Sequence, residues 1–323
     1  MNKVAILGGS GFVGRYIVKE LLNQDHAVKL INRNKIDLNN QTCEQSIIDL
    51  FSDDLCLELQ NFDCLIYNIG IIREYPHKGI SFKEIHENLA VHAIKAAEKA
   101  GVKKFILMSA NKVELCRTGY EKSKFASEEC LINSNMDWTI FRPSIIFGNP
   151  DEKIEFCSQV KRDIINIPLP LPLFFNGMNI ANAGSMIMNP IHVKNVAEFF
   201  VKSINLDSSN SKIYELGGTN QYSWKEMLQM ISCACEKRKY SVPVPFIAIK
   251  FLASIFDRFS WFPVTKDQLI MLSDGNSCNS EKYFSEFDIN EILTRINLSL
   301  CALLFQKCIC PNFVENNPIH THN

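Results

Sequence analysis

Two rhythms of apolar residues alternate along the first half of the chain. Short runs rich in β-branched and aromatic residues recur at residues 4–7, 27–31, 45–48, 64–68, 105–109 and 138–141, each of a length that suits a buried strand. Between them lie longer stretches with helical spacing, at about residues 12–23, 53–59, 82–100 and 120–133. In the third of these, Ile85, Leu89, Ala93 and Ala97 form an apolar stripe that suits the face of a sheet. Strand alternating with helix predicts an α/β fold with a parallel sheet covered on both faces. Right-handed crossovers at each step make it a doubly wound, Rossmann-type sheet.

Past Pro143 the rhythm breaks. Residues 167–175 read Ile-Pro-Leu-Pro-Leu-Pro-Leu-Phe-Phe, and prolines at alternate positions exclude a helix or a central strand, so an extended apolar loop is expected. Residues 193–204 return to a helical pattern and 213–216 to a strand stopped by Gly217-Gly218. From Ser223 onward the chain reads as mostly helical. This divides it into a Rossmann domain over 1–146, which 190–218 rejoins, and a smaller, mostly helical lobe from 147–189 and 219–295, leaving 296–323 as a tail. The lobe should cover the carboxyl edge of the sheet, where open α/β folds bind ligands. Within it, residues 243–256 are apolar apart from Lys250 and read either as a core helix or as one facing a membrane surface or a partner. That run, like 298–305, is shorter than the ~20 residues a spanning helix needs.

Composition narrows the function. The 323 residues are 46% hydrophobic and 21% charged, which is globular rather than disordered or fibrous. Lys plus Arg (34) balance Asp plus Glu (35), leaving a net charge of -1 and no general field for attracting nucleic acid. Contact with any membrane is expected to be peripheral rather than integral. Twelve cysteines are about 4% of the chain, short of the ~8–10% of a disulfide scaffold, and no CxxC pair occurs. The N-terminus runs straight into a strand without a signal or transit pattern, so a cytoplasmic protein with reduced thiols is expected. Cys308, Cys310, His320 and His322 stand at CxC and HxH spacings that do not match structural zinc sites, and no metal is expected.

The chemistry starts at Gly8-Gly9-Ser10-Gly11-Phe12-Val13-Gly14, which follows the first strand and opens the first helix, the context a dinucleotide fingerprint requires. Gly8 permits the tight turn, Gly11 lets backbone approach a pyrophosphate, and Gly14 lets the helix pack on the strand. The helix N-terminus then faces the phosphates. After the second strand the chain reads Asn32-Arg33-Asn34-Lys35, with no carboxylate where an NAD site holds the ribose 2′-hydroxyl. Arg33 offers a planar fork that matches a 2′-phosphate, which favours NADP(H) over NAD(H). Arg33 also reads simply as a solvated surface residue.

Ser109 ends the fifth strand, and Tyr120-Glu121-Lys122-Ser123-Lys124 opens the next helix with Tyr120 and Lys124 on one face. Glycine loop, strand-end serine and Tyr-xxx-Lys together resemble the short-chain dehydrogenase/reductase superfamily. The resemblance implies catalytic roles: Tyr120 as general acid or base, Lys124 lowering its pKa and binding the nicotinamide ribose, and Ser109 holding the substrate oxygen. An ordinary phenol, with pKa ≈ 10, has to be moved toward neutrality for this task.

Further segments are similar to an atypical branch: Asn68-Ile69-Gly70-Ile71-Ile72, Ser81 to His86, Ala100 to Phe105, Phe141-Arg142-Pro143 to Gly148, Asn189-Pro190-Ile191-His192-Val193, Tyr214 to Gly218, and Thr265-Lys266-Asp267-Gln268. That branch is the NADPH-binding accessory subunit of respiratory complex I, alpha subcomplex subunit 9 type, and its bacterial homologues, within the NAD-dependent epimerase/dehydratase-like proteins. The resemblance covers residues 2–274 and looks bacterial because no mitochondrial presequence precedes it. It extends the cofactor set to Ser10, Phe12 and Val13, to Asp49, to Asn68, Ile69 and Gly70, and to Tyr120, Lys124 and Pro143. It implies a tightly held NADPH, docking on complex I or another membrane-bound assembly at the cytoplasmic face of the inner membrane, and a structural role for the nucleotide. The alternative it leaves open is an active NADP-dependent reductase or epimerase on a lipophilic or quinone-related substrate. Residues 296–323 depart from the family's ending.

Overall fold

The computed structural model describes residues 1–36, 43–150, 153, 155–256 and 264–292. The tail and its Cys and His residues lie outside the described residues. Strands β1 (Lys3–Leu7), β2 (Ala27–Asn32), β3 (Glu44–Ile47), β4 (Cys64–Tyr67), β5 (Lys104–Met108), β6 (Asp137–Pro143) and β7 (Lys212–Leu216) form a seven-stranded sheet in the order β7-β6-β5-β4-β1-β2-β3. All its pairings are parallel. The order reverses between β1 and β4, which pair through Leu7 and Tyr67, and ligands of such sheets bind at that crevice. This is the Rossmann-type sheet expected.

The two-residue period of a strand sorts β1 cleanly. Val4 and Ile6 join Ile17, Val18 and Leu21 of helix α1 (Phe12–Asn23) on one face, whereas Ala5 and Leu7 join Ala90, Ala93 and Ala97 of α2 (Leu89–Ala100) on the other. Phe141 of β6 is wrapped by Phe199, Phe200, Tyr214 and Phe287, with ring centroids 4.7–6.2 Å away. Phe284, Phe287 and Ile289 thereby pack into the core of the sheet. A separate apolar cluster joins Phe147, Leu171, Trp224, Leu228, Ile231 and Phe246 beyond the sheet.

Two differences from the expected elements have physical causes. The helix expected at 82–100 begins as a π turn, Lys83–Asn88, whose wider winding no apolar periodicity reveals. The proline-rich segment is not wholly loop: Leu171–Phe175 pairs in parallel with Ser241–Pro245 as an isolated two-stranded sheet. Leu171 N–H donates to Tyr240 O at 2.8 Å, so by alternation Pro172, Pro243 and Pro245 fall where an N–H would point away from the partner. The helix Phe246–Phe256 buries Phe246 and Ala253 in the lobe and leaves Ile247, Phe251, Leu252 and Ile255 exposed.

Helix α3 (Gly119–Ile132) is capped by a reciprocal box between Thr118 and Glu121, yet its inward face carries Glu121, Ser123, Lys124, Ser127 and Glu128. It docks through charge as well as through Leu131, which joins the apolar core. Glu128, fully buried, takes Arg142 of β6 through Nε at 3.0 Å and Nη2 at 2.6 Å, while Glu114 takes Nη1 at 2.7 Å. The bidentate geometry fixes both partners. Among the described residues no helix is long and apolar enough to cross a membrane.

Removing one member of a buried pair strands the other. Glu128→Ala should therefore lower the unfolding free energy by about 3 kcal/mol in urea titration, and adding Arg142→Met should recover part of the loss. An additive double variant would show that the pair does not hold α3 to β6.

Candidate functional site

The site is assembled at the carboxyl ends of β1, β4, β5 and β6. Gly8 follows β1 with φ +89°, and a Cβ there would stand 2.6 Å from Asn68 O. A Cβ on Gly14 would stand 2.1 Å from Gly8 O, so the first turn of α1 lies directly on the loop. At Gly11 the nearest atom to such a Cβ is Gly8 O at 3.5 Å, which leaves its outer side open. Gly11 is also the N-cap of α1, with no side-chain cap and no acidic residue in the first turn. The amides that helices normally satisfy with a capping side chain therefore stay free for an anion. Ser10, Phe12 and Val13 are half-buried around this loop, and Phe12 packs edge-on to Tyr16. These features fit a dinucleotide pyrophosphate.

At the end of β2 the buried amide Nδ2 of Asn32 lacks a hydrogen-bond partner. Arg33, beside it, is exposed and forms no ion pair with a described residue. An orphaned buried donor asks for an acceptor, and a neutral amide followed by a guanidinium suits an anionic ribose better than a carboxylate would. Asp49, exposed beyond β3, accepts a hydrogen bond from Phe51 N–H at 3.1 Å and so shapes its own turn. Asn68 extends β4, its N–H donating to Leu7 O at 2.9 Å and its Nδ2 reaching Gly8 O at 3.4 Å. Pro143 is buried at the end of β6, where its carbonyl accepts from Asn111 N–H at 3.1 Å.

The three residues expected to be catalytic converge, but in a particular arrangement. Ser109 N–H continues the ladder to Phe141 O at 2.8 Å, and its buried Oγ has no partner. Lys124 is buried, and its ammonium donates to Met108 O at 2.8 Å and to Ile69 O at 3.5 Å. Burial pulls its pKa down to about 8, partly opposed by Glu128. Tyr120 packs edge-on against Phe82 and His86, with centroids at 5.5 and 5.1 Å. Burial, then the Glu121 carboxylate, push its phenol up to about 12. In this arrangement the Lys124 ammonium donates to the backbone carbonyls of Met108 and Ile69, and desolvation is the first cause acting on the Tyr120 phenol.

His86 went unread as a site residue in the sequence. The π turn carries it inward, where Nε2 accepts from Ile71 N–H at 2.9 Å and Nδ1 meets Ser123 Oγ at 3.2 Å. With Nε2 accepting, the proton sits on Nδ1. Burial and the nearby Lys124 charge hold the ring neutral, with a pKa near 2. A Cβ on Gly70 would meet Lys124 Nζ at 3.5 Å and His86 Nε2 at 3.7 Å, so Gly70 overlies both groups. The outer lobe closes on the same place. Tyr120 N–H donates to Asp267 Oδ2 at 3.3 Å, Asn111 Nδ2 to Asn276 Oδ1 at 2.8 Å, and Ser144 Oγ to Asn276 O at 2.7 Å. His192 caps the helix Val193–Ser203 by accepting from Lys194 N–H. No cluster of metal-ligating side chains occurs among the described residues.

Residues 8–163 match a family model described as NAD(P)H-binding. The chain is 26% identical over 271 residues to the mitochondrial NADH-ubiquinone oxidoreductase 40 kDa subunit of Neurospora crassa, covering 81% of this chain and 68% of that protein. It is 21% identical over 294 residues to the Photosystem II assembly factor Ycf39 of Synechocystis, covering 86% and 82%. UDP-glucose 4-epimerase from Thermus thermophilus, solved in complex with NAD, superposes with a TM-score of 0.69 at 16% identity, covering 94% of this chain and 99% of that one. At that identity the likeness is one of fold.

Two outcomes follow from the geometry. Gly14→Ala should abolish NAD(P)H binding in calorimetric titration, because the methyl cannot fit above Gly8 O without moving α1; retained affinity would remove the cradle. His86 has a folded pKa of about 2 against 6.5 when free. The unfolded chain therefore takes up the proton first, and stability falls as pH drops below 6.5, by about 1.4 kcal/mol per pH unit. Urea unfolding should show a shallower acid limb in His86→Gln than in the wild type.

Proposed function

We propose, from the chain's membership of the atypical short-chain dehydrogenase/reductase family as a homologue of complex I 40 kDa subunits and of Ycf39, that it holds NADPH as a structural part of a membrane-bound respiratory assembly. It would dock peripherally at the cytoplasmic face of a bacterial inner membrane. One observation carries this reading. The close approach of Gly14 to Gly8 O and the uncapped N-terminus of α1 at Gly11 form a pyrophosphate cradle, while burial raises the Tyr120 phenol rather than lowering it toward neutrality. Efficient proton exchange near neutrality asks for a group whose pKa lies close to the working pH.

Bound NADPH would supply a hydride donor at the carboxyl edge. Ser10, Phe12 and Val13 with the three glycines would hold its pyrophosphate, Asn32 and Arg33 its adenosine ribose, and Asp49 the region beyond β3. Asn68, Ile69, Gly70, Pro143, Tyr120 and Lys124 would line the nicotinamide end. NADP(H) is favoured over NAD(H) by the neutral Asn32 amide with the adjacent guanidinium.

The second reading is an NADP-dependent reductase or epimerase acting on a lipophilic or quinone-related substrate through Ser109, Tyr120 and Lys124. The buried, unpartnered hydroxyl of Ser109 favours it, since such a group is satisfied by a substrate oxygen.

Equilibrium binding should favour NADPH over NADH, and Arg33→Asp should cost NADPH about tenfold, the equivalent of ~1.4 kcal/mol; equal affinities would remove the 2′-phosphate reading. Single-turnover absorbance of the NADPH complex with quinones, sugar nucleotides and aliphatic ketones should stay flat. Rapid oxidation lost in Tyr120→Phe would instead establish the enzyme. Affinity purification from gently solubilised membranes should recover respiratory subunits along with the nucleotide.

A further inference from the structure

The helix Phe246–Phe256 is apolar on two opposite faces. Phe246 and Ala253 point into the lobe, at 1% and 0% exposure, while Ile247, Phe251, Leu252 and Ile255 are 81%, 66%, 41% and 37% exposed. Positions 247, 251, 252 and 255 form one stripe at helical spacing. A soluble surface helix normally carries charge there, but this helix has a single ionic side chain, Lys250, whose ammonium lies 5.4 Å from the Phe246 ring centroid, at the border between the faces. It has no carboxylate. Contiguous exposed apolar surface of this kind marks an interaction site.

Charge identifies what it meets. The strand leading into the helix is preceded by Lys237-Arg238-Lys239, with one carboxylate, Glu236, beside them. Lys239 Nζ donates to the carbonyls of Ile164, Ile165 and Ile167, and Lys237 Nζ to Asn166 Oδ1. Both cations are thus anchored on residues 164–167, just before Leu169, which is 63% exposed. Tyr240, 90% exposed, follows them. Apolar side chains and a tyrosine edged by fixed cations match the layered chemistry of an anionic bilayer surface, with hydrocarbon below, amphipathic interface between and phosphate above.

We propose that the outer face of Phe246–Phe256, with Leu169, Tyr240 and the Lys237-Arg238-Lys239 run, is a docking surface for anionic lipid headgroups and the acyl boundary beneath them. It names the surface behind the peripheral docking proposed above and rests on that reading for its setting, but its test needs no assembly. The full-length protein, loaded with NADPH, is floated with vesicles of phosphatidylethanolamine and phosphatidylglycerol, and separately with phosphatidylcholine vesicles. Binding should favour the anionic vesicles and weaken with salt. Phe251→Ser should reduce partition by about tenfold or more, since the ring carries much of the buried apolar area. Lys237→Gln with Arg238→Gln should remove the preference for anionic vesicles. Leu57→Ser, at a residue 63% exposed on the helix Asp54–Glu58 of the sheet domain, should leave binding unchanged. Thermal unfolding and NADPH affinity should match the wild type in every variant.

Absence of flotation on either vesicle overturns the proposal, as does equal partition of the wild type and Phe251→Ser. If the purified chain is a dimer that Phe251→Ser dissociates, the face belongs to a second copy and the lipid assignment fails. Co-purification with membrane subunits that persists without vesicle binding likewise removes the lipid surface while leaving the docking reading intact.

Discussion

The closeness of two backbones governs the carboxyl edge of this sheet. The first turn of α1 rests on the loop that leaves β1, with no space for even a methyl group at Gly14 above Gly8 O. That approach sets the direction of α1 and aims its uncapped amides outward, and it brings the loop against Asn68 at the end of β4. Nothing else in the site can be placed until this contact is made. The apolar stripe of α1 on Val4 and Ile6 supplies the adhesion, while the glycines supply the distance.

Helix α3 is positioned by a different kind of force. Apart from Leu131 its inward face is polar, so its docking depends largely on Glu128 reaching Arg142 and on Lys124 reaching the carbonyls of Met108 and Ile69. Such a network is stable only when every member is satisfied. It holds Tyr120 edge-on against the stacked Phe82–His86 pair, where burial raises the phenol's pKa. The packing that positions the helix thus also sets the surroundings of the Tyr120 ring.

The sheet was readable because β1, β2, β4, β5 and β6 are apolar on both faces, and their order follows from crossover handedness. The glycine loop was readable because its spacing and its flanking elements agree. Asn32 and His86 were not, for distinct reasons. Asn32 gains meaning only from burial without a partner. His86 turns inward through a π winding that carries no periodic signature. Pairing of the proline segment was hidden because its partner strand lies about 70 residues later, joined by Leu171 and Ser241; local rules report what a strand excludes but not what it finds. The state of Tyr120 was out of reach for a similar reason, since a pKa depends on what surrounds the ring in space.

The two-stranded pair of Leu171–Phe175 and Ser241–Pro245 bears on how the protein avoids self-aggregation. An isolated pair has two open edges, each a template for another chain. On Ser241–Pro245 the outward positions include Pro243 and Pro245, which have no N–H to offer, and on its partner Pro172 is outward while Phe174 O already accepts from Gly184 N–H at 2.8 Å. Neither edge can easily nucleate growth. The chain can therefore keep a greasy helix in the open immediately after this pair, because the adjacent backbone, where sticking would propagate into fibres, is chemically sealed.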